Sequence, residues 1–276
     1  MGLLALALVA IGVIYALSAY RIGKRYEIAP RGVTVSNDPA TIARGERLAR
    51  IHGCHACHGD GLEGEIAVDD FRFGRFVIPN VTVARDAYSD LDLVRLFRHG
   101  VRSDGRGVLP IMPSQSFTHL ADDDLGAIIA YLRSAPQVAN DLPTTRLGPL
   151  LRAMLALGRI EVAPRMIDHA GPALETVDRD DAEVFGRYLA STTCTECHGQ
   201  DLQGQDGFLV TPSLAITAAY TEPQFRDLLR SGVALGGREV GAMSEVATRR
   251  FVHYTNDEIH ALYTYLTSLA VEKAAD

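Results

Sequence analysis

Two short stretches of the chain each place two cysteines and a histidine close enough together to share one chemical task. The first is GCHACHGD, at residues 53–60, and the second is TCTECHGQ, at residues 193–200. All four cysteines of the chain fall in these two C-x-x-C pairs. Paired thiols at this spacing occur in three kinds of site: a redox dithiol, a zinc site, and a covalent attachment point for a prosthetic group.

The sequence around the motifs discriminates among these three sites. A thioredoxin-type dithiol lies beside a βαβ pattern, and we find no alternating strand pattern in this chain. The four thiols are a permitted ligand set for one zinc ion, but Cys194 lies 137 residues after Cys57 and each pair lies in its own repeat. The thiols concerned are those of Cys54, Cys57, Cys194 and Cys197.

The pattern C-x-x-C-H is instead typical of the attachment site of a c-type heme. Two thiols at this spacing can add to the two vinyl groups on one edge of a porphyrin, and the histidine that follows can then coordinate the iron. The sequence therefore predicts two covalently bound hemes c, with His58 and His198 as iron ligands.

The elements that surround each motif also occur twice. Residues 36–136 and 178–270 give the same order of signals, although few residues are identical. Each copy has a leading helix, the motif, a glycine-rich loop, a middle helix and a final helix. Asp38 is a candidate N-cap for the first leading helix, and Asp180 or Asp181 for the second. We therefore predict two domains with these boundaries.

Capping and apolar patterns delimit the later helices. Ser89 and Asp92 form a variant capping box for the middle helix of the first copy, which Gly100 ends. A Thr255/Glu258 capping box precedes the final helix of the second copy. The apolar faces of the two final helices are Leu125, Ile128, Ile129 and Leu132, and Ile259, Leu262, Tyr263 and Leu266. With no strand predicted, the fold class is all-α.

Glycines in the two leading helices predict close helix crossings. Gly45 and Gly186 each cost about 1 kcal/mol relative to alanine in a helix interior. A close crossing of the first and last helices of each copy would account for that cost. Tyr131 and Tyr265, in the final helices, are the aromatic residues expected over these glycines.

Residues 1–25 are predicted to be a transmembrane anchor. Gly2 to Tyr20 are nineteen residues without a charge, about enough for a helix to cross a hydrocarbon core of about 30 Å. A cleaved signal peptide is the rival interpretation, but it normally has a basic stretch before the apolar run, which is missing here.

Residues 137–177 are predicted to be a linker between the domains. Gly148 and Pro149 are expected to open a short helix there, with Arg152 and Arg159 on one face. One interpretation makes this helix a strut packed between the domains. The other makes it a patch that lies on the lipid surface or on a partner subunit.

The two copies resemble class I cytochrome c domains, and the whole chain resembles membrane-anchored diheme cytochromes c, including the cytochrome subunits of bacterial membrane dehydrogenases. The resemblance rests on the two C-x-x-C-H motifs and on MPSQSFTHLADDDLGAIIAYLRSAP, which is similar to the methionine loop and final helix of that family. It implies heme attachment outside the cytoplasm, and thus a single pass through the bacterial inner membrane with the heme domains on the periplasmic side. Arg21, Lys24 and Arg25 follow the span, and the positive-inside rule alone would place the domains in the cytoplasm. The heme attachment that the resemblance implies overrides this rule, because a chain left in the cytoplasm would not acquire its hemes.

The resemblance also implies a methionine ligand on the second face of each iron. Met112 lies 54 residues beyond His58 and Met243 lies 45 residues beyond His198, both between the middle and final helices. Met243 departs from the family pattern, because serine rather than proline follows it. If Met243 does not bind, the second iron is five-coordinate or takes His253.

Arg106 and Arg238 recur at similar positions before the two methionines. A guanidinium group can bind a carboxylate through two hydrogen bonds, so both are candidates for contacts with the heme propionates. The alternative interpretation is that both are surface arginines that bind no ligand.

The function that the resemblance implies is electron transfer, and we find no set of residues in the sequence that suggests catalysis on an organic substrate. Single electrons would pass from a membrane dehydrogenase or quinol-oxidising complex, whose other subunits are expected partners, to a soluble electron-transfer protein or a membrane acceptor. The formal net charge of −7 argues against nucleic-acid binding, which needs a basic surface. The alternatives are a diheme peroxidase with one open iron, which two methionine ligands disfavour, and a subunit that mainly serves assembly of a respiratory complex.

Overall fold

The computed structural model describes residues 2–171, 174–206 and 209–275. Within these residues the α-helices are α1 (Gly2–Gly23), α2 (Pro39–Ile51), α3 (Cys54–His58), α4 (Val81–Ala84), α5 (Asp90–His99), α6 (Ser114–Phe117), α7 (Asp122–Ser134), α8 (Pro149–Ala156), α9 (Ala182–Thr193), α10 (Thr195–His198), α11 (Glu222–Ser231), α12 (Ala242–Arg249) and α13 (Asn256–Ala275). The strands there are β1 (Glu65–Asp70), β2 (Gly74–Ile78), β3 (Arg146–Leu147), β4 (Val233–Ala234) and β5 (Arg238–Glu239). Short 3₁₀ helices lie at Arg85–Ala87, Ala163–Arg165, Leu214–Ala219 and Phe251–His253.

The chain divides into two compact units, and three of the boundaries between them fall inside α3, α6 and α7. Unit 1 comprises Met1–Val33, Cys57–Gln115 and Leu132–Gly171, and unit 2 comprises Thr34–Ala56, Ser116–Tyr131 and Pro172–Asp276. The sequence boundaries at 36–136 and 178–270 follow the repeat instead, and they stay predictions.

The helix starts that the sequence predicted are confirmed. The carboxylate of Asp38 accepts the backbone N–H of Thr41 at 3.0 Å and caps α2. Asp181, rather than Asp180, caps α9. Ser89 and Asp92 form the expected reciprocal capping box of α5, because each side chain bonds the other residue's backbone N–H. These local contacts satisfy backbone donors that have no partner inside the helix.

Two close helix crossings shape the core of unit 2, both at the glycines that the sequence indicated. A Cβ atom on Gly186 would lie 2.0 Å from the carbonyl oxygen of Ala261, in α13, and 2.7 Å from the Cβ of Tyr265. A Cβ atom on Gly45 would lie 1.9 Å from the carbonyl oxygen of Ala127, in α7. The backbones of α9 and α13, and of α2 and α7, therefore approach more closely than any side chain would allow.

The chain is mostly helical, but the expectation that it has no strands was wrong. β1 and β2 form an antiparallel hairpin, and β3 pairs with β2 to give a three-stranded sheet in unit 1. The hairpin turn is stabilised by Asp70, whose side chain accepts the backbone N–H groups of Arg72 and Phe73 at 2.6 and 2.8 Å. Gly74 supplies the positive φ of 91° that closes the turn.

The linker contains the predicted short helix, α8, with Gly148 as N-cap and proline at its start. Arg159 lies beyond the end of α8 at Ala156, so the expectation that Arg152 and Arg159 share a helix face was wrong. Leu157 is the C-cap of α8, and Gly158 after it has a φ of 69°, so the helix has ended before Arg159 is reached.

The N-terminal apolar run forms α1, and α8 packs against it in unit 1. Among the described residues, α1 is the helix that is long and apolar enough to cross a membrane. Its most apolar window has a mean hydropathy of 2.4. Most of its side chains are exposed in the isolated chain.

Candidate functional site

Each C-x-x-C-H motif forms a short helix directly after its leading helix. The first motif is α3, which follows α2, and the second ends with α10, which follows α9. Residues i, i+3 and i+4 of a helix lie on one side of it. The two thiols and the imidazole of each motif therefore face the same side, as attachment to one flat ligand requires.

The two histidines of the motifs make the same hydrogen bond. Nδ1 of His58 lies 2.8 Å from the carbonyl oxygen of Pro79, and Nδ1 of His198 lies 2.9 Å from that of Pro212. A carbonyl can only accept, so each Nδ1 carries the proton and Nε2 has the lone pair that can bind a metal. This partner on the second nitrogen is the arrangement that metal-binding histidines commonly have.

Burial also favours the metal-binding form of the second histidine. Burial lowers the pKa of His198, and this effect is larger than the opposite effect of the hydrogen bond from His198 to the carbonyl of Pro212. The imidazole is therefore neutral at neutral pH, and a neutral imidazole is the form that coordinates iron.

The loop after each motif has the same backbone in both copies. Leu62 and Leu202 have positive φ angles of 61° and 59°, a rare conformation for such residues. Gly64 and Gly204 donate their N–H groups to the carbonyl oxygens of His58 and His198 at 2.7 and 2.8 Å. A Cβ on either glycine would lie within 2.4 Å of the backbone that holds the histidine's partner.

Sequence reasoning missed the two prolines whose carbonyls bind the histidines. They lie 21 residues after His58 and 14 residues after His198, so spacing gives no signal. The signal was present as a short pattern, however. Pro79 precedes Asn80 and Pro212 precedes Ser213, and both of these polar residues cap the short helix that follows.

The thiols of the second motif lack the lowered pKa values of a reactive dithiol. Burial raises the pKa of Cys194 to about 11 and also raises the pKa of Cys197. Reactive thiols have lowered pKa values instead. The strands beside the first motif form an antiparallel hairpin rather than a βαβ unit, so the fold also gives no support to thioredoxin-type chemistry.

Among the residues that the structure describes, no group of three or more His, Cys, Asp or Glu side chains is arranged to hold a metal ion. The donor set of each motif, two thiols and one imidazole with its second nitrogen already bonded, fits a covalently attached heme c.

The two candidate methionine ligands occupy different local structures. Met112 lies in a turn just before α6, where Ser114 donates its N–H to the Met112 carbonyl at 2.8 Å and its hydroxyl to the carbonyl of Leu96. Met243 lies in the first turn of α12 and packs, partly buried, against the core of unit 2. Iron ligation by either methionine stays a prediction, as does the alternative ligand His253, which is partly buried.

The two candidate propionate partners are exposed and lie in hairpins after the middle helices. Nε of Arg106 donates to the carboxylate of Asp104 at 2.9 Å, which holds this guanidinium in an ion pair. Arg238 lies in β5, and its Nε is 3.4 Å from the carbonyl oxygen of Leu235. Contacts of either arginine with a propionate stay a prediction.

Arg250 is a buried cation beside the second motif that sequence reasoning missed. It is 6% exposed, its Nε donates to the carbonyl of Ile51 at 3.0 Å, and its Nη1 donates to Glu196, inside the motif, at 3.0 Å. All three residues belong to unit 2. Nothing in a single sequence distinguishes Arg250 from its exposed neighbour Arg249, because its partners are far away along the chain.

Comparison with known protein families gives two matches, one in each copy. Residues 40–132 match the family model described as cytochrome c oxidase, cbb3-type, subunit III, and residues 185–270 match the model described as cytochrome c. The two matches cover the two C-x-x-C-H motifs separately.

Curated relatives match most of the chain. The fructose dehydrogenase cytochrome subunit of Gluconobacter japonicus is 26% identical over 83% of this chain and 52% of the relative. The cytochrome c subunit of the alcohol dehydrogenase (quinone) of Gluconobacter oxydans (strain 621H) is 27% identical over 84% and 55%. The gluconate 2-dehydrogenase cytochrome c subunit of Pantoea cypripedii is 28% identical over 87% and 62%. The chain thus spans a little more than half the length of these relatives.

Proposed function

Because the chain contains two cytochrome c domains and is homologous to cytochrome c subunits of membrane-bound dehydrogenases, we propose that it relays single electrons. The electrons come from a membrane dehydrogenase or quinol-oxidising complex of which the chain is a subunit. They leave to a soluble electron-transfer protein or to a membrane acceptor.

The observation that carries this proposal is the same histidine geometry at two sites. In each copy the imidazole donates Nδ1–H to a proline carbonyl, at 2.8 Å for His58 and 2.9 Å for His198. This bond fixes the ring orientation and raises the basicity of the second nitrogen. Two such histidines, each after a pair of thiols, support two hemes c. When bound, the heme supplies one-electron chemistry.

The residues of the chain hold and orient each heme in this proposal. Two thiols would hold the porphyrin, and the histidine together with Met112 or Met243 would bind the iron. Ligation by histidine and methionine raises the reduction potential and leaves no open position for a substrate. The site is therefore suited to electron transfer rather than to peroxide turnover. Arg106 and Arg238 are proposed to contact propionates at the exposed heme edges.

The membrane anchor in this proposal is α1. Its length of 22 residues and its exposed apolar side chains fit a helix that crosses a bilayer once. Heme attachment outside the cytoplasm places the two domains on the periplasmic side of the inner membrane. Anchoring keeps both hemes close to the partner subunits that supply electrons.

Gentle isolation of the native protein from the membrane tests the proposal. The intact mass is expected to exceed the mass of the polypeptide by two hemes, and the pyridine hemochrome spectrum is expected to report two hemes c per chain. A dehydrogenase subunit is expected to co-purify, and its substrate to reduce both hemes. A chain without added hemes, or one that turns over peroxide and gives a high-spin heme signal, contradicts the proposal.

A further inference from the structure

The linker helix α8 contacts the membrane helix inside its apolar run. Nη1 of Arg152 donates to the hydroxyl of Ser18 at 3.1 Å, and its guanidinium carbon lies 4.8 Å from the ring centroid of Tyr15. Ser18 is completely buried. Along α1, Ser18 and Tyr15 lie about 5 and 9 Å from Arg21 towards the N-terminus, at 1.5 Å per residue. Part of α8 is therefore level with residues expected within the lipid.

The tip of the β1–β2 hairpin lies beside the beginning of α8. Gly148 donates its N–H to the carbonyl of Phe73 at 2.8 Å, and Leu150 donates its N–H to the carbonyl of Arg72 at 2.9 Å. Phe71, at the tip, is 80% exposed. The turn and the helix are thus held together by backbone hydrogen bonds, and both belong to unit 1, as does α1.

Large apolar side chains on these elements are exposed in the part of the chain that the structure describes. Leu157, at the end of α8, is 71% exposed, and Leu150, seven residues before it on the same side, is also exposed. A single exposed leucine needs no explanation. A group of exposed apolar side chains next to an apolar helix is different, because such groups mark surfaces that are covered in the functional state.

Charged residues lie near both ends of α8. Arg21 binds Glu161 at 2.9 Å, and Glu161 also binds Arg165 at 2.8 Å. Arg72 and Arg146 are exposed near the hairpin tip and the start of α8. Apolar side chains beside charged and basic ones are the pattern of a segment that lies at the lipid–water boundary, about 5–10 Å deep.

We infer that Phe71, Leu150 and Leu157 form a lipid-docking face, by which the hairpin tip and α8 enter the leaflet nearest Arg21 beside α1. We assign lipid as the partner of this face because α8 contacts the proposed membrane helix α1 at Tyr15 and Ser18, so the exposed surfaces of the two helices adjoin. This inference rests on the proposed anchoring of α1. It adds that unit 1 is held against the bilayer at a fixed orientation rather than tethered by one helix.

Cysteine accessibility tests the lipid-docking face. Single variants Phe71→Cys and Leu157→Cys of the full heme-loaded chain are placed in nanodiscs, one chain per disc and with the disc's scaffold protein as the only other protein. They react with a charged maleimide, and mass spectrometry follows the added mass. The wild-type chain gives the background. Reaction at both positions is expected to be at least about tenfold slower than at the controls, because lipid excludes the charged reagent from these segments.

Matched controls separate this inference from the anchoring on which it rests. Leu91→Cys in unit 1 and Val210→Cys in unit 2, at positions 53% and 74% exposed, are expected to react freely. Val9→Cys, within α1, is expected to be protected. If Val9→Cys is protected but Phe71→Cys and Leu157→Cys react as fast as the controls, the lipid-docking face is wrong and the anchor stands. If Val9→Cys also reacts freely, the anchoring itself is wrong.

Discussion

Replacement of Gly186 by alanine is expected to destabilise unit 2, although alanine is the better helix former. The new Cβ atom would lie 2.0 Å from the carbonyl oxygen of Ala261 and 2.6 Å from its carbonyl carbon. Ordinary contact begins near 3.4 Å, so α9 and α13 must separate by about 1.4 Å at the crossing. Neither contact is with the flexible end of a side chain, so the backbones themselves have to move.

The expected loss follows from two opposing effects. Alanine in place of glycine gains about 1 kcal/mol of helix propensity. Overpacking of a core typically costs about 1–3 kcal/mol, and more when the backbone must shift. We therefore expect a net loss of about 2 kcal/mol, which lowers the melting temperature by about 4–8 °C for a domain of 150–250 residues. The shift also displaces the end of α9, where Cys194 begins the second motif.

Thermal unfolding of the heme-loaded protein, followed by circular dichroism, measures this loss. Gly45→Ala is the parallel variant, because its Cβ would lie 1.9 Å from the carbonyl oxygen of Ala127. Gly12→Ala is the matched control, since nothing lies within 4 Å of a Cβ at that helical position. A melting temperature of Gly186→Ala equal to or above that of the wild type would refute the close crossing.

Three further outcomes are expected. Burial lowers the pKa of His99 from 6.5 to about 4, so the unfolded chain binds this proton more readily than the folded chain does. The free energy of unfolding therefore falls by about 1–2 kcal/mol as the pH is lowered from 6.5 to 4, after a discount for the partial exposure of His99. Urea titrations should show a smaller fall for His99→Gln. Met243→Ala should give one heme a high-spin signal and a lower potential in potentiometric titration, while Met166→Ala, exposed and outside both repeats, leaves both hemes unchanged. Arg250→Met should cost about 2 kcal/mol in denaturant titrations, because it leaves the partly exposed carboxylate of Glu196 without its cation; unchanged stability would contradict the buried ion pair.

The features that the sequence predicted well depend on neighbouring residues. Asp38 caps a helix through an N–H three residues away, and the apolar face of α7 is set by the helical repeat. The hairpin was missed because every residue of β1 is exposed, so its sequence has no alternation of buried and exposed positions. Arg250 was missed because its partner Ile51 is 199 residues away in the chain.

The two copies share backbone geometry more than they share residues, which explains why few positions are identical. Most positions of a small helical domain need only an apolar or a polar side chain. The loop after each motif needs more, because Gly64 and Gly204 combine a positive φ with a backbone approach that no side chain permits. Their N–H groups donate to the carbonyls of His58 and His198. The imidazoles of these histidines donate to the carbonyls of Pro79 and Pro212, and both prolines lie against the same glycines. Each glycine therefore sets the distance between the histidine and the proline carbonyl that orients its ring. This coupling predicts that Gly204→Ala disturbs the potential of the second heme even if the protein still binds it, and a potentiometric titration that gives two unshifted midpoints would contradict it.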